Sequence, residues 1–249
     1  MLTLPPGNVW IGSYPKSGNT WVRILLSSLL GEASVPEETT SYPPQDADPA
    51  TTARILRTHE AWRDRPARAA LYIARDPRDV AVTFAAYQHR TLDEVIDQMN
   101  FAGHYIGPSA GQPGPRIEPW SSHVNSWLDH GQLPVHLIRY EDLLRDTAGE
   151  LVRAMAFMGA EDLDEQNVAR AVRYADFAEL RRQEQARGFH QRSRVQEIGA
   201  REGSPMTRGR SGDWRQYLSV RQVRRLENAH AATMLRLGYE LVTNRESAA

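Results

Sequence analysis

The sequence predicts a single α/β domain over residues 1–249, with a central parallel sheet flanked by helices. Short apolar runs alternate with helical patterns along the chain, which is typical of a parallel sheet covered on both faces. No internal repeat is visible, and no linker divides the chain into two compact halves. With 249 residues, 41% of them hydrophobic, the chain is long and apolar enough to bury such a core.

The first elements are a strand, a loop, a helix and a second strand. Residues 9–13 (VWIGS) form a short apolar run that predicts a buried strand, and residues 14–18 contain the turn formers proline and glycine. An amphipathic pattern predicts a helix over residues 19–30. Residues 31–52 are rich in Pro, Glu, Asp and Thr without a period, which indicates a long mobile loop. Another apolar run predicts a strand over residues 54–58.

A third strand is predicted over residues 69–74, and it leads into a strong helix start. Asp76 is a favourable N-cap, and Pro77 suits the first helical position because its missing N–H has no partner there. The carboxylate of Asp79 is favoured in the first turn by the helix dipole. These residues predict a helix over residues 77–89.

The second half of the chain predicts several helices around one more strand. Residues 101–119 are rich in Gly and Pro and indicate a long connector, and residues 188–212 are polar and punctuated by glycine. The predicted elements are a helix over residues 120–130, a strand over 134–139, helices from Tyr140 to about residue 186, and a final helix over 220–237.

Composition excludes several classes of protein and site. Because the chain has no cysteine, it forms no disulfide, thiolate metal site or cysteine nucleophile. The net charge of −1 gives no overall attraction to nucleic acid or anionic lipid. The longest apolar stretch, residues 22–30, is interrupted by Arg23 and two serines, and residues 1–10 lack the basic start of a signal peptide. We therefore expect a cytoplasmic protein without a nucleic-acid or membrane partner.

Only one of the 30 basic side chains is a lysine, Lys16. A chain that uses arginine for nearly every other cation treats the two residues as interchangeable on its surface. A lone lysine therefore suggests a position that needs a compact ammonium group.

Lys16 lies in the loop that joins the first strand to the first helix. Backbone N–H groups at a helix N-terminus, a lysine and the Ser17 and Thr20 hydroxyls together suit a bound phosphate. The alternative is a plain strand-to-helix turn. The nucleoside-triphosphate loop reads G-x-x-x-x-G-K-[ST], whereas here Lys16 precedes Gly18 by two positions.

Five segments carry a family resemblance, in the family's order and between residues 9 and 217. YPKSGNTW (14–21) resembles the 5′-phosphosulfate-binding loop of sulfotransferases that use 3′-phosphoadenosine-5′-phosphosulfate (PAPS). The other segments are ARDPRDVAVTF (74–84), similar to the 3′-phosphate-binding strand and helix; LRTHE (56–60), similar to the K-T-H segment; TRGRSGDW (207–214), similar to R-K-G-x-x-G-D-W; and RYED (139–142), similar to a recurrent strand-to-helix junction. Within that family, the chain resembles the cytosolic-type domain and its bacterial branch, which acts on small molecules.

The resemblance implies transfer of a sulfuryl group from PAPS to a hydroxyl or an amine of a small molecule by in-line displacement. It places the catalytic base on His59, because imidazole titrates near neutrality. It places Lys16 against the bridging oxygen of the donor and Arg57 beside the developing sulfuryl charge. Such a transfer depends mainly on positioning and charge neutralisation, and it requires no metal.

The resemblance also implies the donor-binding residues. In the family an arginine at a strand end and a hydroxyl eight residues later hold the 3′-phosphate, and these fall on Arg75 and Thr83. Trp21 and Phe177 would hold the adenine between aromatic faces, with core packing as the alternative for both. The complete implied set for PAPS and its product adenosine 3′,5′-bisphosphate is Lys16, Ser17, Gly18, Asn19, Thr20, Trp21, Arg75, Thr83, Phe177, Arg208 and Gly209.

The sequence departs from the family pattern at two motifs. Thr207 stands where the family has an arginine, and Arg208 replaces the lysine that follows it. Arg208 or Arg210 would supply the missing cation, because guanidinium binds phosphate through two parallel hydrogen bonds. Arg57 replaces the lysine of K-T-H, which keeps the charge and changes its reach.

Two other functions stay open at this point. A P-loop nucleotide kinase would need Mg²⁺ and a lysine directly after the glycine. A non-catalytic nucleotide-binding protein would not need His59 or Lys16, and both positions are filled.

No motif identifies the acceptor, and residues 31–52 and 101–119 are expected to line its binding site. His59 itself has the alternative of a purely structural histidine. The other seven histidines show no pattern, although His104 lies within residues 101–119. The sequence leaves open whether the chain forms a homodimer.

Overall fold

The computed structural model describes residues 4–30, 50–105, 116–176 and 210–243. A four-stranded parallel sheet lies at its centre, in the order β2–β1–β3–β6, beside a two-stranded antiparallel pair, β4–β5. The strands are β1 Gly7–Ser13, β2 Ala53–Thr58, β3 Ala69–Ala74, β4 His104–Tyr105, β5 Arg116–Ile117 and β6 Val135–Arg139. The α/β fold class predicted from the alternating pattern is confirmed.

The described helices cover both faces of the sheet. They are α1 Asn19–Leu30, α2 Pro77–Gln88, α3 Leu92–Asn100, α4 Trp120–Leu128, α5 Tyr140–Arg145, α6 Thr147–Phe157, α7 Glu165–Tyr174, α8 Trp214–Tyr217 and α9 Val220–Arg236. Successive side chains of a strand point to opposite faces, so a fully buried strand is apolar throughout. In β3, Leu71 and Ile73 join the core beneath α1, α6 and α7, whereas Tyr72 joins the core beneath α2, α4 and α9.

The start of α2 follows the predicted capping. The Asp76 carboxylate accepts a hydrogen bond from the backbone N–H of Arg78 at 2.9 Å, and Pro77 occupies the first helical turn. The helix ends at His89, which adopts a left-handed conformation with φ of 53°. Capping therefore determines both ends of the helix that follows the central strand β3.

One helix and one pair of strands were not predicted from the sequence. Residues 92–100 form α3, which the sequence analysis did not predict; its start is a capping box between Thr91 and Glu94. Residues 101–119 were expected as an unstructured connector, but β4 and β5 pair within it, His104 opposite Ile117. Residues 106–115 lie outside the described residues.

The helical region after Tyr140 is more divided than expected. A break at Asp146 separates α5 from α6, because the Asp146 carboxylate caps α6 by accepting from the N–H of Gly149 at 2.9 Å. The last described helix of this region ends at Tyr174, and residues 177–186 of the predicted helical region lie outside the described residues. Most of the predicted loop over residues 31–52 and most of the polar segment over 188–212 lie outside the described residues. No helix of the described ranges combines the length and the apolar character needed to cross a membrane.

Buried histidines make the fold sensitive to acid. His230 in α9 is 2% exposed, its Nδ1 lies 2.9 Å from the Ser121 hydroxyl oxygen, and burial lowers its pKa from 6.5 to about 4. In the unfolded chain this histidine binds a proton below pH 6.5, while in the folded chain it stays neutral. The stability it contributes is therefore complete above pH 6.5 and is lost as pH falls toward 4.

We predict that His230→Gln, which keeps a polar partner for Ser121 and does not titrate, reduces the steepness of this loss. Between pH 6.5 and 4 the free energy of unfolding of the variant should fall less steeply, by up to about 1.4 kcal/mol per pH unit. Urea unfolding at a series of pH values measures the slope. The control His89→Asn removes an exposed histidine at a position whose left-handed conformation asparagine tolerates. A slope in His230→Gln that is no shallower than in this control would contradict the prediction.

Candidate active site

The loop after β1 is a tight turn that requires left-handed backbone at two positions. Lys16 has φ of 66° and Gly18 has φ of 105°, and the N–H of Ser17 donates to the carbonyl of Tyr14 at 3.3 Å. A Cβ on Gly18 would lie 2.7 Å from the ring of Tyr140. Position 18 therefore accepts only glycine. Lys16 is a non-glycine residue with left-handed backbone, which is uncommon outside functional sites.

The predicted phosphate-binding residues of this loop differ in their surroundings. Ser17 is fully buried, and among the described residues its hydroxyl has no hydrogen-bond partner. Asn19 is buried and donates from its side-chain amide to the hydroxyl of Ser13 at 3.2 Å, whereas Thr20 is exposed. The buried Ser17 hydroxyl and the exposed Thr20 hydroxyl leave polar groups for a bound anion at the N-terminus of α1.

The ammonium of Lys16 lies over an aromatic ring that the sequence analysis did not single out. Its Nζ is 4.4 Å from the ring centroid of Tyr87, in the last turn of α2. Burial, and then the nearby charge of Arg75, lower the pKa of Lys16 from 10.5 to about 8. The side chain is therefore mostly charged at neutral pH.

Arg75 and Thr83 lie together, as the resemblance implies. Arg75 is 7% exposed, and its Nη1 donates to the Thr83 hydroxyl at 3.3 Å and to the carbonyl of Lys16 at 3.1 Å. Its Nη2 donates to the carbonyl of Arg210 at 3.1 Å, and its guanidinium lies 4.5 Å above the ring of Tyr140. The Arg75 side chain thus connects the Lys16 loop to the segment that begins at residue 210.

That segment is attached to the first turn of α2 through Asp79. Its carboxylate accepts from the N–H groups of Gly212 and Trp214 at 2.7 and 3.0 Å and from the Ser211 hydroxyl at 3.3 Å. Asp79 is 1% exposed, and burial raises its pKa while these hydrogen bonds oppose the rise. Thr207, Arg208 and Gly209 of the same motif lie outside the described residues, so which cation replaces the family's arginine stays a prediction.

His59 follows β2 and is oriented by the end of β1. Its Nδ1 lies 3.0 Å from the carbonyl oxygen and 3.1 Å from the hydroxyl of Ser13. Because a carbonyl only accepts, Nδ1 carries the proton, and Nε2 keeps a lone pair that can accept one. Burial, and then the charges of Arg57, Lys16 and Arg23, lower the pKa of His59 from 6.5 to about 4. The structure therefore places three cations near a neutral imidazole.

A second histidine, which the sequence analysis did not single out, supports the first. His123 in α4 is fully buried, and its Nε2 donates to the carbonyl of His59 at 3.1 Å. Its Nδ1 accepts from the Tyr72 hydroxyl at 2.8 Å, and burial lowers its pKa to about 3. Its tautomer is thus also determined, and the backbone of His59 is attached to the core.

The packing of α4 on β1 holds the same region from the other side. The indole N–H of Trp127 donates to the carbonyl of Glu60 at 3.1 Å. A Cβ on Gly12 would lie 2.6 Å from the Trp127 ring, so the strand must carry glycine there for the indole to pack. No sequence motif marks Trp127 or His123, because their partners are distant in the chain.

The two residues expected at the adenine have different outcomes. Trp21 is 8% exposed, packs in the core beneath α1, and donates from its indole N–H to the carbonyl of Ala175 at 2.9 Å. The structure thus shows the core-packing alternative for Trp21, and contact with adenine stays a prediction. Phe177 lies outside the described residues. His104 is half-buried in β4.

Within the described ranges, histidine, aspartate and glutamate side chains form no group of three or more suited to a metal ion. The candidate site lies at the carboxyl ends of three neighbouring strands, where open α/β sheets bind their ligands. The Lys16 loop follows β1, Arg57 and His59 lie at the end of β2, and Arg75, with Thr83 beside it, follows β3.

We predict that Arg57→Gln raises the pKa of His59, because removing a nearby positive charge favours the imidazolium. Histidine ring NMR signals followed against pH measure the shift. Arg54→Gln, on the same strand and outside the group of cations that act on His59, is the matched control. The assignment of Arg57 as a cation that lowers the pKa of His59 is wrong if Arg54→Gln shifts the titration of His59 as much as Arg57→Gln does.

Comparison with known proteins finds the same family that the sequence motifs resemble. The sulfotransferase domain family matches residues 44–238, a span that begins after the Lys16 loop. The chain is 24% identical to cytosolic sulfotransferase 1 of Danio rerio over 92% of this chain and 83% of that protein. It is 24% identical to the amine sulfotransferase of Oryctolagus cuniculus, over 88% of this chain and 78% of that protein.

Solved structures of similar fold cover most of the chain. Retinol dehydratase in complex with androsterone and the inactive cofactor PAP superposes with a TM-score of 0.65 at 18% identity, over 91% of this chain and 80% of that chain. A mouse sulfotransferase complexed with PAP superposes with a TM-score of 0.64 at 21% identity, over 91% of this chain and 84% of that chain.

Proposed function

The chain belongs to the sulfotransferase family, and from that premise we propose that it transfers the sulfuryl group of PAPS to a hydroxyl of a small molecule, with His59 as the base. The observation that carries the proposal is the orientation of His59 by Ser13, which leaves Nε2 with a lone pair among the charges of Lys16 and Arg57. Family membership favours sulfuryl transfer over the nucleotide-kinase and non-catalytic alternatives.

The described residues fit PAPS at two places. The Lys16 loop offers an ammonium, helix N–H groups and the buried Ser17 hydroxyl, which has no hydrogen-bond partner in the described part of the chain, for the 5′ end of the donor. Arg75 and Thr83 offer a guanidinium and a hydroxyl for the 3′-phosphate. The similar mouse sulfotransferase and retinol dehydratase are both described with PAP bound, which supports the same donor here.

Each residue then has a defined part in a balanced reaction. His59 Nε2 accepts the proton of the acceptor hydroxyl while the acceptor oxygen forms its bond to sulfur. The bond between sulfur and the phosphate oxygen breaks, and the Lys16 ammonium stabilises the charge left on that oxygen. Arg57 stabilises the sulfuryl oxygens.

The low pKa of His59 belongs to the free site, before the anionic donor binds. At about 4 the free imidazole is neutral at pH 7, which is the form able to accept a proton. The donor brings negative charge to Lys16 and Arg57, whose positive charges hold the pKa down. We expect the pKa of His59 to rise toward neutrality in the loaded site, where a stronger base is useful.

The acceptor, the compartment and the assembly belong to the proposal as well. Sulfotransferases act on small-molecule acceptors, and a hydroxyl acceptor fits a histidine base. The amine sulfotransferase among the relatives keeps an amine as the second class. We place the protein in the cytoplasm; a homodimer and the absence of a nucleic-acid partner stay predictions.

We predict that adenosine 3′,5′-bisphosphate stabilises the fold and that AMP does so much less, because AMP cannot engage Arg75 and Thr83. At 100 times its dissociation constant a ligand adds about 2.7 kcal/mol to the free energy of unfolding. A thermal-shift assay with both nucleotides measures the difference, and Thr83→Val should reduce the advantage of the bisphosphate. Equal shifts from the two nucleotides would remove the 3′-phosphate assignment.

We predict that His59→Ala lowers turnover by about 10²- to 10⁴-fold, the usual contribution of a positioned base, with little change in bisphosphate binding. The assay incubates the protein with PAPS and a panel of phenols, aliphatic alcohols and amines and detects sulfonated products by mass. A phenol of low pKa is ionised without help, so it should recover part of the lost rate, whereas an aliphatic alcohol should not. A variant fully active on an aliphatic alcohol would show that the base lies elsewhere.

A further inference from the structure

The contact between Lys16 and Tyr87 joins the functional loop to the far end of α2. The Lys16 Nζ lies 4.4 Å from the centroid of the Tyr87 ring, a distance at which a cation is attracted by the negative face of an aromatic ring. Tyr87 lies in the last turn of α2, which begins at the strand end that carries Arg75. The loop is therefore contacted by Tyr87 near the end of α2 and by Arg75 just before its start.

The Tyr87 ring is held in place by two other rings. It stacks on Phe84, with centroids 6.4 Å apart and planes 21° apart. Phe84 in turn packs edge-on against Tyr14, with centroids 6.3 Å apart. Phe84 and Tyr14 are both fully buried, and Tyr14 is the first residue of the loop that carries Lys16. The ring and the loop backbone are therefore fixed relative to each other through the core.

The electrostatic surroundings of Lys16 explain why an aromatic partner suits it. The ammonium is partly buried and near the positive charge of Arg75, so its surroundings disfavour the charged form. Among the described residues it forms no ion pair with a carboxylate. A carboxylate would neutralise the ammonium, whereas a ring face attracts the cation and leaves its full charge available to a phosphate oxygen.

We propose that Tyr87 is a positioning residue for sulfuryl transfer, whose ring face holds the Lys16 ammonium at the donor site without neutralising it. The role of the ammonium in the reaction rests on the proposed function, but the contact itself does not. Tyr87 acts through Lys16 and needs no contact with the reacting atoms.

The single lysine makes the proposal measurable in the free protein. Lysine labelled with ¹³C at Cε gives one side-chain signal, that of Lys16, and its titration reports the pKa, about 8 in the parent chain. Tyr87→Leu removes the ring face and should lower this pKa by about half a unit to one and a half units. The matched control Tyr87→Phe keeps the face and should leave the titration unchanged. An unchanged titration in Tyr87→Leu, or an equal shift in both variants, would overturn the proposal.

The pH dependence of turnover links the contact to the reaction. Lys16 must be charged to stabilise the leaving phosphate, so activity is lost above its pKa. The alkaline limb of the kcat/KM profile, which reports the free enzyme, should move to lower pH in Tyr87→Leu by the shift seen in the titration, and it should stay in place in Tyr87→Phe. If no acceptor is sulfonated at all, the proposed function fails while the titration still decides the contact.

Fluorinated phenylalanines at position 87 cover the case in which Tyr87→Leu does not fold. Successive fluorination weakens the negative face of the ring at nearly constant size, so the Lys16 pKa should fall stepwise along the series. A pKa that is independent of fluorine number would overturn the proposal, because packing alone would not respond to ring charge.

Discussion

The buried guanidinium of Arg75 is the group on which the arrangement of the site depends. It donates to the carbonyl of Lys16, to the Thr83 hydroxyl and to the carbonyl of Arg210, and it lies above the Tyr140 ring. A charge at 7% exposure is costly unless such donors are satisfied. The contacts that satisfy it also bring together a loop, a helix and a distant segment of the chain.

Buried charged groups around the first turn of α2 also join distant parts of the chain, and these include carboxylates. Asp79 holds the backbone of Gly212 and Trp214, while Arg78 is buried between Asp76 and Glu227, at 2.7 Å from each. Removing one partner of such a cluster leaves a buried charge without compensation, so the cluster holds its members as a set. The Arg75 end of β3 and the segment from residue 210 are thereby kept in one position relative to α9.

The pKa values of His59 and Lys16 are both lowered, first by burial and then by nearby cations, with opposite consequences for the protonation states that the proposed reaction needs. The lowered pKa keeps His59 neutral and able to accept a proton, whereas the same lowering disfavours the charged form of Lys16 that the proposed reaction needs. The face of Tyr87 favours the charged form of Lys16 without adding a negative charge that would raise the pKa of His59. An aromatic neighbour thus resolves a conflict that a carboxylate would not.

The sequence alone determined the features that depend on neighbours along the chain. These were the strand, loop and helix around Lys16 and the capped start of α2, while the pairing of Arg75 with Thr83 followed from the family resemblance. The roles of Ser13, His123 and Tyr87 were decided only by the tertiary structure. Each meets its partner across different elements, so its contact depends on strand register and helix packing, for which a single sequence carries no local signal.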